Sequence, residues 1–124
     1  MPIDVRYGDR WVEFVYSGEV ERAEVEAAVM PALEADRATG RRLHRLHDLR
    51  AVAKWKLHFD EMASVMERNE AARRQVGAMR SAVVVAEDYQ IGLARQYEAL
   101  AAPRGTVVRV FADAREARAW LGGS

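Results

Sequence analysis

The run Ser81-Ala82-Val83-Val84-Val85-Ala86 limits what this chain can fold into more than any other feature. Its side chains do not alternate between apolar and polar, so a strand formed here must be covered on both faces. Helical patterns flank it. Phe59, Met62, Ala63 and Met66 recur at helical spacing before it, and Tyr89, Leu93, Tyr97, Leu100 and Ala101 do so after it. Parallel strands need a crossover of about this length, usually a helix, whereas antiparallel strands can be joined by a short turn. The centre of the chain therefore predicts parallel strands with helices packed on the sheet.

Ile3, Val5 and Tyr7 alternate with polar residues, Gly8-Asp9 supplies turn chemistry, and Trp11, Val12, Phe14, Val15 and Tyr16 follow. This spacing predicts an antiparallel hairpin ending at Ser17-Gly18. Val25, Ala28, Val29, Ala32 and Leu33 form the stripe of a first helix, bent at Pro31 and stopped by Gly40. Arg42 to Val52 is less apolar, but its place between two helical patterns argues for a strand. A further short helical turn is expected from Asn69-Glu70, before Gly77. Asp88 is placed to cap the third helix, which Pro103-Arg104-Gly105 ends, and Thr106 to Phe111 is the last strand. Asp113-x-x-Glu116 is a capping box for a final helix with Ala114, Ala117 and Leu121 on one stripe. The order β-β-α-β-α-β-α-β-α is that of an α/β fold, a mixed, mainly parallel sheet of about five strands with helices on both faces. Domains typically run to about 100–200 residues, so residues 1–124 are expected to form a single domain.

Several kinds of chemistry lack their residues. There is no cysteine, which removes disulfides, thiolate nucleophiles, zinc–thiolate sites and iron–sulfur ligation. The Ser81–Ala86 run is far shorter than the roughly 20 apolar residues of a membrane span. Met1-Pro2-Ile3-Asp4-Val5-Arg6 has no apolar signal-peptide core. A soluble, cytoplasmic protein without a transmembrane segment is the expectation. The glycines form neither G-x-G-x-x-G after a strand nor a P-loop, and Ser17, Ser64, Ser81 and Ser124 sit in no nucleophile elbow. His44 and His47, three apart on a strand, point to opposite faces and do not easily chelate one metal ion. Glu21, Glu24 and Glu26 read as a solvated face at a helix N-terminus rather than an acid–base pair. No cofactor, metal or catalytic residue is expected, and a hydrolase is a remote alternative.

Lys and Arg number 19, as do Asp and Glu, so the net charge is zero, yet the charges are segregated. Residues 1–36 carry nine acidic and three basic side chains. Residues 37–58 carry seven basic ones (Arg37, Arg41, Arg42, Arg45, Arg50, Lys54 and Lys56) against Asp48 alone. Such a stretch, containing Trp55, could attract a phosphate, a nucleic acid or an acidic surface. DNA-binding domains usually carry an overall basic excess that is missing here, so nucleic acid is not an expected partner. The basic stretch is expected to lie beside the acidic first helix and neutralise it.

The ending Val108-Arg109-Val110-Phe111-x-Asp113-x-x-Glu116-Ala117-x-x-Trp120-Leu121 resembles the terminal signature of the bacterial SpoIIAA-like proteins. These belong to the wider STAS class (sulphate transporter and anti-sigma factor antagonist), and their fold is also compared with Sec14-type lipid-binding domains. The hairpin ending in Ser17-Gly18, the strand ending near Asp48-Leu49-Arg50, and the Ala82–Ala86 strand fit the same layout. The resemblance spans nearly the whole chain and implies a non-enzymatic, STAS-like binding or regulatory module. Antagonists of this class are switched by phosphorylating a Ser or Thr at the start of the helix after the central strand. Here the matching segment, Asp48 to Phe59, holds no hydroxyl. Ser64 is about a turn and a half into the second helix, away from the free amides of a helix N-terminus. The resemblance is therefore to a module without that phosphorylation switch.

Ligands of open α/β sheets gather beyond the carboxyl ends of the strands, here near Asp48-Leu49-Arg50, Ala86-Glu87-Asp88 and Phe111-Ala112-Asp113. The candidate partner or ligand surface comprises Asp48, Arg50, Lys54, Trp55, Lys56, Phe59, Met62, Met66 and Tyr89. A protein partner that meets the loop and helix from Asp48 to Phe59 is the first expectation. The alternative is a carrier or sensor of a small apolar or amphipathic ligand, lying between the sheet and the second helix. Phe59, Met62 and Met66 would wall it, because methionine adapts to irregular shapes. A homodimer is compatible with either, symmetric pairing being common among oligomers.

Overall fold

The computed structural model describes residues 2–40, 43–68 and 79–122. Its strands are β1 (Ile3–Tyr7), β2 (Trp11–Val20), β3 (His44–Trp55), β4 (Met79–Val84) and β5 (Thr106–Phe111). Among the described residues the α-helices are α1 (Arg22–Thr39), α2 (Phe59–Arg68), α3 (Asp88–Ala101) and α4 (Ala114–Gly122). A 3₁₀ turn, Ala102–Arg104, leads into β5. The turn expected at Asn69-Glu70 lies outside the described residues.

The strands lie in the order β1-β2-β3-β4-β5. β1 is antiparallel to β2, and every later neighbour is parallel. From β2 onward each crossover steps one strand in the same direction. Since such crossovers are right-handed, α1, α2 and α3 fall on one face, and α4, after the last strand, folds over the other. The core follows this division. Val25 and Ala32 of α1, Met62 and Met66 of α2, and Ala94 and Ala101 of α3 join the core around Phe14, Tyr16 and Val83. Ala114, Ala117 and Leu121 of α4 pack with Leu46, Ala82 and Val84. Both parities of β4 are therefore buried, as its unbroken apolar run requires.

Local signals fix several ends where the sequence puts them. Gly40, at φ 69°, closes α1 in the left-handed conformation that glycine adopts without strain. The Asp113 carboxylate accepts the Arg115 N–H at 2.7 Å and caps α4. Other boundaries move. β2 does not end at Ser17-Gly18 but runs to Val20, its register shifting around Gly18, whose φ is 64°. That extension gives β3 a partner beyond Val52: Glu19 pairs with Lys54 and Val20 with Trp55. Asp88 is not the cap of α3. Glu87 precedes the helix, and the Ala86 and Glu87 N–H groups donate to Gln90 Oε1 at 2.7 and 3.1 Å. The buried face of α3 is Gln90, Ala94, Leu100 and Ala101, which leaves Tyr89 46% exposed. Phe59, the first residue of α2, is 49% exposed, and the helix turns Met62, Val65 and Met66 inward instead.

Candidate functional site

A cavity of about 140 Å³ lies between the sheet and the three-helix layer. On the sheet side it is walled by Phe14, Tyr16, His47, Leu49 and Val83, and on the helix side by Val25, Met62, Met66, Leu93 and Tyr97. Trp55 and Leu57 line it near the carboxyl end of β3, while Asp36, Arg45, Met79, Arg104 and Thr106 line it toward the strands' amino ends. Strand parity explains the membership: alternate residues of β2 turn Phe14 and Tyr16 to this face, and alternate residues of β3 turn Arg45, His47 and Leu49.

The sheet wall is a chain of rings. His47 stacks on Phe14 with centroids 5.1 Å apart and planes 12° from parallel, and stands 5.8 Å from Tyr16. Tyr16 in turn meets Trp55 at 5.9 Å, and Tyr97 presents its ring edge-on to His47 at 5.4 Å. The hydroxyls on this wall find protein partners. Tyr16 Oη and His47 Nδ1 share a hydrogen bond of 2.8 Å, and Tyr97 Oη donates to Ser81 Oγ at 2.8 Å. Burial, reinforced by the neighbouring Tyr97, pushes the Tyr16 hydroxyl far above its ordinary range, so it stays neutral. At the opposite end a buried ion pair joins α1 to β3: an Arg45 guanidinium N–H reaches Asp36 Oδ2 at 2.7 Å. The Leu43 N–H donates to Asp36 Oδ1 at 3.3 Å, and Arg45 donates to Leu43 O at 2.6 Å. With most of its polar groups matched and an apolar centre, this site can hold a small molecule; it presents no nucleophile–base–acid arrangement among the described residues.

The sequence-derived surface is only partly one place. Trp55, Met62 and Met66 meet in the cavity. Phe59 and Lys54 are exposed near the same end of the sheet, outside it. Asp48 lies on the α4 side and is bound by Arg50, whose side chain reaches it at 2.8 and 3.0 Å and whose N–H reaches it at 3.1 Å. Burial raises the Asp48 carboxyl, but the bonds and charge of Arg50 outweigh it and hold the group below its ordinary value. Lys56 is committed to Glu19 at 2.7 Å, with Glu21 at 3.5 Å. Tyr89 donates its hydroxyl to Val52 O, tying α3 to β3. The expected loop from Asp48 onward is strand as far as Trp55. Among the described residues of the basic stretch, Arg37 pairs with Glu34 and Arg45 with Asp36, both on α1, whereas Lys56 pairs with Glu19 of β2 and Arg50 with Asp48 within the stretch itself. His44 and His47 face opposite ways, the first accepting the Arg80 N–H at 3.0 Å. Sequence reasoning missed Tyr16, His47, Tyr97 and the Asp36–Arg45 pair as neighbours of Met62 and Met66.

A family model described as SpoIIAA-like matches residues 11–122. Among solved structures, the chain is similar to that of an uncharacterised protein with a SpoIIAA-like fold from Shewanella loihica PV-4. The TM-score is 0.65 at 18% identity, with 96% of this chain and 91% of that one covered. At that identity the likeness concerns the fold. No curated protein matches the chain. Among the described residues, no helix is long and apolar enough to cross a membrane.

Proposed function

The chain belongs to the SpoIIAA-like family, and from that premise we propose that it is a non-enzymatic, STAS-like binding module whose ligand is a small, mainly apolar molecule held between the sheet and α1 to α3. The cavity carries this reading. An apolar void of about 150 Å³ accommodates a benzene-sized molecule, and about 140 Å³ in a partly open cavity suits a single-ring molecule of that order. A two-chain lipid of the Sec14 type is several times too large for it. Met62 and Met66 on the short helix α2 give the wall the adaptability that a binding site uses. The test is a titration of the full chain with toluene, observed through the methionine methyl signals by NMR. Shifts concentrated at Met62 and Met66, with a rise in melting temperature, are expected. Saturating toluene that leaves both methyls in place refutes the reading.

A partner protein is the second reading, favoured by the exposed rings of Phe59 and Tyr89 beyond the carboxyl ends of β3 and β4. Because Asp48 to Phe59 contains no hydroxyl, such a partner would not be released by phosphorylation there. Charge reversal at Lys54, which unlike Lys56 has no ion pair of its own among the described residues, together with Phe59→Ala, should abolish capture of that partner.

A further inference from the structure

The two edges of the sheet are not alike. β1 and β5 each have a strand on one side only, and an open edge is a template for another strand unless charge, proline or a bulge blunts it. β1 is blunted by Asp4 and Arg6, both exposed and paired with each other. β5, Thr106-Val107-Val108-Arg109-Val110-Phe111, has no proline, and its register with β4 is unbroken. Arg109 is its single charge, and the guanidinium lies back on the α4 side, 5.7 Å from the Phe111 ring centroid and 6.0 Å from that of Trp120. Phe111 O accepts the Val85 N–H at 2.9 Å. Strand alternation therefore turns the backbone groups of Val107, Arg109 and Phe111 toward β4, and those of Val108 and Val110 toward the open side. The surface on both sides of this edge is apolar. Among the described residues, the exposed large aliphatic side chains are Ile91 and Val107, 39% and 59% exposed. Val107 shares the α4 side of β5 with Arg109 and Phe111. Ile91 belongs to α3, whose Leu93 and Tyr97 turn to the cavity and α2, so the helical period carries Ile91 and Arg95 to the opposite flank, above the β5 edge.

Independently of the cavity, we propose that β5 pairs antiparallel with β5 of a second copy of this chain, about a two-fold axis at Val108 perpendicular to the sheet, with α3 beside the partner's α3. The Val108 N–H then donates to the carbonyl of the partner's Val108, and the reverse. Val107 comes to lie opposite the partner's Arg109, whose methylene stem covers it. An axis at Arg109 would instead set two like charges directly opposite each other, which is unfavourable. The helix flank is self-complementary in the same sense. Arg95 and Glu98, near the middle of α3 and 3.0 Å apart, carry opposite signs, so antiparallel copies bring unlike charges together. Ile91 is covered by the same approach. One short strand and one helix flank make a contact at the small end of the about 1,200–2,000 Å² of stable interfaces, so the dimer is a reversible one.

Sedimentation equilibrium of the full chain over a concentration series should show monomer and dimer in exchange. Ile91→Lys with Val107→Lys, at two exposed positions, should weaken the association by about tenfold or more, as lysine on a strand edge opposes pairing. The register is read by disulfide formation. The chain has no cysteine, so an introduced thiol has no competitor. Residues directly opposite in an antiparallel pair lie about 4.5–5.5 Å apart and diagonal ones about 7–8 Å, and a disulfide needs Cα atoms within about 7 Å. A mixture of Val107→Cys and Arg109→Cys chains should therefore form a mixed disulfide under mild oxidation, while neither variant links to itself. A chain that stays monomeric throughout the series overturns the proposal, and so does a dimer that the double lysine variant leaves intact. Self-linking as ready as mixed linking overturns it too, because the axis then lies elsewhere. If the lysine variant fails to fold, the disulfide pattern decides.

Discussion

Removing the Asp36 carboxylate should destabilise this fold by about 3–5 kcal/mol, far more than an exposed ion pair is worth. The two side chains of the pair are 3% and 6% exposed, and their closest N–O distance is 2.7 Å. Exposed pairs contribute about 0–1 kcal/mol because water and salt screen them. A buried guanidinium stripped of its carboxylate has neither water nor partner, and breaking such a pair costs about 3–5 kcal/mol. Asp36→Ala also takes the acceptor from the Leu43 N–H, so the loss should fall at the upper end. Set against a total stability of about 5–15 kcal/mol, the variant keeps little margin. The decisive comparison is the double variant Asp36→Leu, Arg45→Met, which removes both charges and fills the space with apolar atoms. Replacing a whole buried pair in this way is often neutral or stabilising by about 1–4 kcal/mol, so the double variant should be much more stable than Asp36→Ala. Asp36→Asn, which keeps an oxygen for Leu43 and loses the charge, separates the backbone tie from the ion pair. Urea unfolding followed by circular dichroism, with linear extrapolation to water, measures all three. A loss below about 1 kcal/mol for Asp36→Ala, in the range of a screened surface pair, refutes the reasoning. So does a double variant no more stable than the single one.

Two pH dependences follow from the charged and buried groups. Burial raises the Tyr16 hydroxyl above its ordinary 10.0, so its contribution is complete below about pH 10 and declines as the pH rises further and the unfolded chain ionises. The slope is about 1.4 kcal/mol per pH unit for one group; Tyr16→Phe should remove that slope from urea midpoints measured between pH 9 and 11. At the acid end, hydrogen bonds from Arg118 at 2.8 and 3.0 Å lower the Glu13 carboxyl against its burial. Arg50 does the same for Asp48 against a larger burial effect. The stability these carboxylates add is present above their ordinary values of 4.5 and 3.8 and is lost as the pH falls through the lower folded values. Arg118→Gln should flatten the acid limb of a melting-temperature profile below pH 4.5, and an unchanged limb would count against the Glu13 pairing.

What could be read from the sequence was whatever local chemistry decides. Gly40 ends α1, Asp113 caps α4, and the run Ser81-Ala82-Val83-Val84 yields a strand buried on both faces, each from a signal within a few residues. What escaped was decided by distant segments. β3 reaches Trp55 because β2 continues past Gly18 to meet it, a fact about pairing that the β3 sequence does not contain. α3 buries Gln90 rather than Tyr89 because the Gln90 amide has partners at Ala86, Glu87 and Val52 O, which offset the burial of a polar group. The candidate site divides the same way. Met62 and Met66 were visible from helical spacing. The inward parity of β3 was not, since the odd positions (Arg45, His47, Leu49) and the even ones (His44, Leu46, Asp48) are almost equally polar. Asp36 and Arg45 are nine residues apart on different elements, and only the crossover brings them together.

The two faces of the sheet are covered by different sets of side chains. Against α4 the buried contacts are made by Ala82, Ala114 and Ala117 with Leu46, Val84 and Leu121, and the rings of Trp11, Phe111 and Trp120 pack against their edge. Against α1 to α3 the rings of β2 and β3 and the methionines of α2 line a partly open cavity of about 140 Å³. Protein interiors are ordinarily packed as densely as organic crystals. At about 24 cal/mol per Å³, an empty cavity of about 140 Å³ corresponds to a deficit of about 3 kcal/mol. That is a large share of the about 5–15 kcal/mol by which a domain is stable. A ligand that binds only the folded chain, present at a hundred times its dissociation constant, returns about 2.7 kcal/mol. The size of the void and the gain from filling it are thus of one magnitude. An occupant of the kind proposed would therefore return about as much stability as the void withholds, so a melting temperature that fails to rise with saturating toluene would argue against it.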